Sequence, residues 1–202
     1  MELFERWAWY GMFAVLALYL TNSTDSGALG FTQVQKGYLI GTVVGLLYFL
    51  PTITGAIADK YGYKKILILS YLILAIGYYL MGQVSSYGGI WAVFLFVAIG
   101  AGLFKPVISA TIARTTTPST SSIGFGIFYM IVNIGAFIGP IVASKFREVN
   151  WEYVFDVSAL VILINLVLVI LFYKEPSIDK KSESLLKSIA TIFRNLASVL
   201  SD

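Results

Sequence analysis

The sequence predicts an all-α membrane protein, with six transmembrane helices and a C-terminal amphipathic helix. Hydrophobic residues make up 58% of the chain and charged residues 12%, whereas ordinary soluble domains have about 45–50% and about 25%. Six apolar runs also approach or exceed the length of about 20 residues that a helix needs to cross a bilayer. The runs cover residues 3–21, 34–57, 66–83, 90–113, 123–145 and 153–173.

The residue types that are missing exclude several kinds of protein. The chain has no cysteine and no histidine, so a disulfide scaffold, a thiolate or imidazole metal site and a histidine-activated nucleophile are excluded. The net charge of +3 is small, and the basic residues stand between apolar runs, which gives no support to nucleic-acid binding. No catalytic site, metal site or cofactor is predicted.

Polar and turn-forming residues divide the apolar runs. The second break covers residues 59–65 and the fifth covers residues 147–152. Lysine and arginine are concentrated in the second break, the fourth break and the tail. If each of the six runs crosses the membrane, these three segments lie on the same side. The positive-inside rule makes that side cytoplasmic. We therefore expect a multi-pass protein of the cell (inner) membrane with both termini in the cytoplasm.

The tail after the sixth run has a different pattern. Apolar residues recur at helical spacing over residues 183–202, with Lys187 and Arg194 on other faces. This pattern indicates an amphipathic helix on the cytoplasmic membrane surface, although a linker that becomes helical fits equally well. The predicted division is a six-helix transmembrane bundle at residues 1–173 and a cytoplasmic linker with an amphipathic helix at residues 174–202.

Four ionisable residues fall in or beside apolar runs, where charges are costly and often functional. Glu2, Glu5 and Arg6 share one face of the first run, and Arg6 is four residues after Glu2, so this pair can meet. A polar cap at the membrane edge explains these three residues equally well. Lys105 lies deep in the fourth run and needs a carboxylate or a water-filled cavity, unless its side chain extends to the interface. Together the four can hold a proton or an anion.

Two further segments stand out. In residues 55–65, Gly55 allows two helices to approach closely and Asp59 can cap the N-terminus of a neighbouring helix, although an ordinary basic loop also fits. In the fifth run, Tyr129 and Asn133 share one face. Asn133 either makes a hydrogen bond to another helix or faces a polar cavity.

These segments resemble one family. Residues 55–65 resemble the loop between the second and third helices of the major facilitator superfamily. Residues 2–11 resemble the motif E-x-x-E-R-F-x-Y-Y-G of the proton-dependent oligopeptide transporters, with Trp7 and Trp9 replacing Phe and Tyr. Residues 100–106 resemble the fourth-helix segment of that family, in which a membrane lysine precedes a proline. Residues 128–137 resemble its fifth-helix signature, F-Y-x-x-I/V-N-x-G.

The resemblance implies the N-terminal half of a major facilitator fold and the proton-coupled symport of di- and tripeptides. It implies that Glu2, Glu5 and Arg6 couple protons to transport, with Lys105 as their partner and as an attractor for the peptide carboxylate. The implied driving force is a proton gradient, without a cofactor. The positions implied to line the peptide site are Trp9, Tyr10, Tyr48, Lys105 and Asn133. Those implied to form the gating loop are Gly55, Asp59, Gly62 and Lys64.

Two departures leave alternatives open. Where the family reads Y-Y-G-M-R, with an arginine that helps hold the C-terminus of the peptide, this chain has Phe13, so another small organic solute is an alternative substrate. A major facilitator has two six-helix halves with the substrate between them, and this chain supplies one. We therefore expect a fragment or a half-length protein, or else an inactive truncated product. Its expected partners are a small peptide, the lipid bilayer, and the missing C-terminal half or a second copy.

Overall fold

The fold consists of six long α-helices and one short 3-10 helix in the part of the chain that the structure, a computed structural model, describes. That part is residues 1–176, with residues 189–191, 194 and 198 of the tail. The predicted amphipathic helix at 183–202 lies largely outside the described residues. The 3-10 helix is Thr24–Ser26. The α-helices are α1 (Glu2–Thr21), α2 (Gln33–Tyr61), α3 (Tyr63–Gln83), α4 (Tyr87–Thr115), α5 (Ser121–Val149) and α6 (Trp151–Phe172).

Five of these helices, α2 to α6, are long and apolar enough to cross a membrane. The α1 helix has 20 residues but does not reach the same apolar standard, because Glu2, Glu5 and Arg6 occupy its start. The all-helical membrane fold that the composition predicts is confirmed. The one long helix that is not among these spans is the one that carries the ionisable cluster.

Two of the predicted breaks are almost entirely helical, so their predicted extent is wrong. Gly62 alone separates α2 from α3, and it has a φ of 99°, a conformation that glycine adopts without a steric penalty. Asn150 alone separates α5 from α6, and its side chain accepts a hydrogen bond from the backbone N–H of Glu152. Polar residues in these segments are therefore helix ends and caps, because charged side chains at a membrane edge remain solvated without leaving the helix.

The helices pack around a centre formed by α1, α3, α4 and α6. The α1 helix packs on α5 and α6, and α3 packs on α6 and α4, whereas α2 packs mainly on α4. Aromatic side chains fill the interior, and the largest fully buried ones are Tyr63, Tyr71, Tyr78, Phe94, Phe104 and Phe155. The α2 and α5 helices bury the smallest share of their spans, so the bundle leaves one broad face of these two helices uncovered.

Glycines bring the backbones of α1 and α5 into direct contact. A Cβ atom at Gly139 would lie 2.5 Å from the carbonyl oxygen of Trp7, and one at Gly11 would lie 2.9 Å from the carbonyl oxygen of Gly139. A Cβ atom at Gly135 would lie 2.8 Å from the carbonyl oxygen of Leu3. Small residues permit this approach between membrane helices. It holds the charged start of α1 against α5.

Candidate functional site

The start of α1 carries a buried ion cluster formed by Glu2, Glu5 and Arg6. The Nε atom of Arg6 lies 3.2 Å from Oε1 of Glu2, one helical turn earlier, and the guanidinium group also pairs with Oε2 of Glu5. Glu5 is completely buried and Arg6 is 8% exposed. The predicted contact between Glu2 and Arg6 is confirmed. The cluster is enclosed by the bundle, which is a different environment from a solvated cap at the membrane edge.

One oxygen of each carboxylate remains available in this cluster. Oε2 of Glu2 and Oε1 of Glu5 are buried and have no hydrogen-bond partner within the described part of the chain. A buried, unsatisfied carboxylate oxygen carries a desolvation cost. Because a proton added at such an oxygen removes the charge and creates a donor, the cluster is chemically suited to take up and release a proton.

Lys105 lies on α4, and the residue before it, Phe104, contacts the cluster. The ring of Phe104 lies 5.6 Å below the guanidinium carbon of Arg6. The half-buried Lys105 points its Nζ atom at the ring of Tyr48 on α2, 5.1 Å from the centroid. In residues 1–176 it makes no ion pair within 4.0 Å. The structure thus places the ammonium group near the cluster but in contact with an aromatic ring.

The positions implied to line a substrate site fall into two groups. Tyr10 lies beside the cluster, with its ring centroid 6.0 Å from the Arg6 guanidinium carbon, and Tyr48 is 76% exposed beneath Lys105. Trp9 stacks on Phe13 with 5.4 Å between ring centroids. Asn133 is exposed on α5 and donates a hydrogen bond from Nδ2 to the Tyr129 carbonyl oxygen, at 2.8 Å. Of the two alternatives for Asn133, the bond to another helix is not the one found, because its Nδ2 atom donates within α5.

The implied gating-loop residues lie where α2 ends and α3 begins. Asp59 is in α2, and its Oδ1 atom accepts a hydrogen bond from the Tyr63 hydroxyl at 2.8 Å. Arg114 of α4 donates to the same hydroxyl from Nε at 2.9 Å, and its NH2 atom lies 3.8 Å from Asp59 Oδ1. These contacts join α2, α3 and α4. A Cβ atom at Gly55 would lie 3.7 Å from the Pro106 Cβ atom, an ordinary contact, so α2 and α4 touch there at a distance that does not require a glycine.

The N-terminus of α3 is capped by Glu175 and not by Asp59. The Glu175 carboxylate accepts hydrogen bonds from the backbone N–H of Tyr63 at 2.5 Å and of Lys64 at 2.8 Å. Lys64 in turn donates from Nζ to the carbonyl oxygen of Ile170 at 2.9 Å. The prediction that Asp59 caps a helix is wrong because its carboxylate is bound to the Tyr63 side chain.

Sequence reasoning did not single out three residues. Glu175 and Arg114 lie at this end of the bundle, and Asp156 lies near the opposite end. Glu175 follows the last apolar run. The α3 helix begins directly after a glycine and so has no side-chain cap of its own. That missing cap is the signal that could have pointed to a capping residue elsewhere in the chain. Arg114 is one of the basic residues of the fourth break, and the sequence alone gives it no further role. Asp156 lies inside the sixth run and satisfies the criterion that was applied to Lys105, namely an ionisable group among apolar residues.

Comparisons with known proteins show the family to which this chain is related. Residues 3–202 match the model of the Major Facilitator Superfamily. The chain is 33% identical over 153 residues to dipeptide and tripeptide permease B of Shigella dysenteriae, covering 72% of this chain and 30% of the permease. It is 31% identical over 174 residues to dipeptide and tripeptide permease A of Escherichia coli, covering 82% of this chain and 33% of that permease.

Solved structures match the fold over almost the whole chain. A POT family transporter in complex with 5-aminolevulinic acid superposes with a TM-score of 0.79 at 28% identity, covering 98% of this chain and 43% of the transporter. The tetrameric transporter PepTSo2 gives a TM-score of 0.74 at 26% identity, covering 98% and 45%. The chain spans about a third of the length of these curated relatives and less than half of these solved chains.

Proposed function

Because this chain belongs to the major facilitator superfamily, whose members are transporters and not enzymes, we propose that it is the N-terminal half of a proton-coupled symporter of di- and tripeptides. The observation that carries the proposal is the enclosed cluster of Glu2, Glu5 and Arg6, in which two carboxylate oxygens have no partner among the described residues. The similarity to dipeptide and tripeptide permeases supports the choice of substrate.

The charges of the site provide the coupling in this proposal. Glu2 and Glu5 are two potential negative charges, and Arg6 and Lys105 are two positive ones, so the four formal charges cancel when all are ionised. Protonation of one carboxylate leaves a net positive charge, which attracts the carboxylate of a peptide. A proton and a peptide therefore favour each other's binding, and release of one weakens the binding of the other.

The substrate site in this proposal lies on the uncovered face of the bundle. Tyr10 and Lys105 stand beside the cluster, Tyr48 and Asn133 are exposed on α2 and α5, and Trp9 adds an aromatic surface on α1. Substrate sites of two-half carriers lie between the halves near the middle of the membrane. The partner that completes the site is the C-terminal six-helix half or a second copy of this chain.

The residues around the junction of α2 and α3 act as the gating segment in this proposal. Gly62 forms the turn, Asp59 is tied to α3 and α4 through Tyr63 and Arg114, and Lys64 is tied to the end of α6. Gly55 lies one turn before Asp59. Bonds among four helices at one end make those ends move as one body when the carrier alternates.

The arrangement in the cell membrane follows from the distribution of positive charge. In this proposal residues 1–173 form the transmembrane half, and residues 174–202, most of which lie outside the described part of the chain, form the cytoplasmic linker. Both termini are cytoplasmic, and the junction of α2 and α3 lies on the same side.

The test is proton-driven uptake of a labelled dipeptide by the carrier assembled with its second half. We expect Lys105→Ala to abolish uptake, because the cluster loses the positive charge that balances the carboxylates. Lys36→Ala is the matched control, since Lys36 is half-buried near the start of α2 and its Nζ atom donates to Gln33 of the same helix, so its loss should leave uptake unchanged. Full uptake by the Lys105→Ala carrier would refute the role of this residue.

A second candidate function is the transport of another small organic solute. Phe13 favours it, because an aromatic ring stacked on Trp9 stands where the family has an arginine. Competition by a panel of dipeptides separates the two functions, since inhibition by any member supports peptides and inhibition by none supports another solute. An inactive truncated product would show no uptake of either substrate.

A further inference from the structure

A groove on the outer surface of α3 and α6 lies apart from the ion cluster. It encloses about 400 Å³ and is lined by Ile76, Tyr79, Asp156, Ala159, Leu160 and Leu163, with Ala75 at its base. Ile76, Tyr79, Leu160 and Leu163 are all exposed on the surface of the bundle. Both helices are long and apolar enough to cross a membrane, so lipid is the medium that this groove meets.

Asp156 is the unusual member of this lining. Its Oδ1 atom is buried and has no hydrogen-bond partner among the described residues. Carboxylates within membrane spans are costly and pair with a cation or line a polar path. Within residues 1–176 no lysine or arginine lies within 4.0 Å of Asp156, so a cation that pairs with it comes from outside this part of the chain.

The polar groups of the groove are all at one end. Asp156 is five residues after the start of α6 and Tyr79 is four residues before the end of α3, which puts both about 6–8 Å from the helix ends at 1.5 Å per residue. These helix ends are neighbours, because a Cβ atom at Gly82 would lie 3.4 Å from the Cα atom of Glu152. The remaining lining continues toward the middle of the membrane and is entirely apolar.

We propose that this groove binds a phospholipid with a primary ammonium headgroup, of the phosphatidylethanolamine class. The ammonium group meets the Asp156 carboxylate at the membrane edge, and an acyl chain runs along Ile76, Leu160 and Leu163. A primary ammonium donates N–H bonds to a carboxylate, and such charge-assisted hydrogen bonds are stronger than neutral ones. A quaternary choline group has no N–H to donate, and an anionic headgroup without an amine is repelled by Asp156.

The proposal does not depend on transport, because the groove is separate from the residues of the ion cluster and binding is measured directly. The probes are dioleoyl phosphatidylethanolamine, dioleoyl phosphatidylcholine and dioleoyl phosphatidylglycerol, added to the protein purified in detergent and counted by native mass spectrometry. Identical acyl chains make the headgroup the only variable. We expect the ethanolamine lipid to bind about tenfold more tightly than the choline lipid, the scale of a hydrogen bond to a charged group.

Two variants and one control make the test specific. Asp156→Asn should bring the two affinities to within about twofold of each other. The control Glu152→Gln changes an exposed acid one turn earlier on α6 and should preserve the tenfold preference. Leu160→Trp fills the groove at an exposed position and should weaken both lipids while Asp156 is intact.

Three results would overturn the proposal. One is equal binding of the ethanolamine and choline lipids to the unchanged protein, and another is an undiminished preference in Asp156→Asn. The third is competition by soluble phosphoethanolamine at the same concentration as the lipid, since this would show that the apolar groove contributes nothing. If Asp156→Asn does not fold, the headgroup comparison on the unchanged protein and the Leu160→Trp variant decide the question.

Discussion

Arg6 holds two carboxylates of its own helix, and this arrangement determines how the cluster responds to substitution. Its guanidinium group pairs with both Glu2 and Glu5, and the Glu5 side chain is fully buried. Desolvation of such charges opposes folding, while their mutual attraction compensates only when every charge has a partner. The cluster is therefore not a source of net stability, and in the proposed carrier it is the site of proton coupling.

This reasoning predicts a large difference between a single and a combined substitution. Arg6→Met should lower the free energy of unfolding by about 3–5 kcal/mol, because two buried carboxylates lose their countercharge. The triple variant Glu2→Gln, Glu5→Gln, Arg6→Met removes all three charges and should recover most of that loss. Thermal unfolding in detergent measures both. Equal destabilisation of the two variants would contradict the prediction.

At the scale of the helices, two kinds of contact organise the bundle. One is the cap of α3 by Glu175, which joins the end of α6 to the start of another helix and places an anion at a positive helix N-terminus. The other is the contact between the backbones of α1 and α5 at their glycines. Both contacts position helices that carry candidate site residues, but neither contact is made by the side chain of a candidate site residue.

The glycine contact predicts opposite effects at two positions of α5. Gly139→Ala should lower the free energy of unfolding by about 1–3 kcal/mol, because the new methyl group would press on the Trp7 carbonyl and force the backbones apart. Gly126→Ala is the matched control, since nothing lies within 4 Å of a Cβ atom there. It should be neutral or stabilising by about 0.5–1 kcal/mol, as alanine favours helix. Thermal unfolding of both variants in the same detergent measures these effects. A Gly126→Ala protein less stable than the Gly139→Ala protein would contradict the contact.

For the whole molecule, the uneven burial of the helices distinguishes two outer faces. The face of α2 and α5 carries Tyr48 and Asn133, whereas the face of α3 and α6 carries apolar side chains and the groove with Asp156. In the proposed carrier the face of α2 and α5 meets an aqueous cavity and the C-terminal half. The face of α3 and α6 meets lipid.

A labelling experiment tests this distinction, because the chain has no cysteine. In membranes, Asn133→Cys should react with a charged, membrane-impermeant maleimide, and a transported dipeptide should slow the reaction in the complete carrier. Leu163→Cys on the other face should stay unreactive, since a thiol in lipid does not ionise. Equal labelling of the two positions would show that the faces do not differ in access to water.

The sequence was informative wherever a local rule applied. The six helices followed from apolar length, and the pairing of Glu2 with Arg6 followed from spacing along one helix. The extent of the breaks did not follow, because polar residues at a membrane edge are equally compatible with a loop and with a solvated helix end. The cap by Glu175 could not be predicted either, since the residues that it joins are more than a hundred positions apart in the sequence.

The sequence by itself determined that this is an all-helical membrane protein, which helix carries the ion cluster, and which residues resemble a transporter family. Only the tertiary structure decided that the cluster is enclosed, that Lys105 contacts Tyr48, that Asn133 is satisfied within α5, and that Asp156 stands at the polar end of a groove. The physical reason is that apolar length and helical spacing are properties of one segment. Burial and the choice of hydrogen-bond partner depend on which segments pack together.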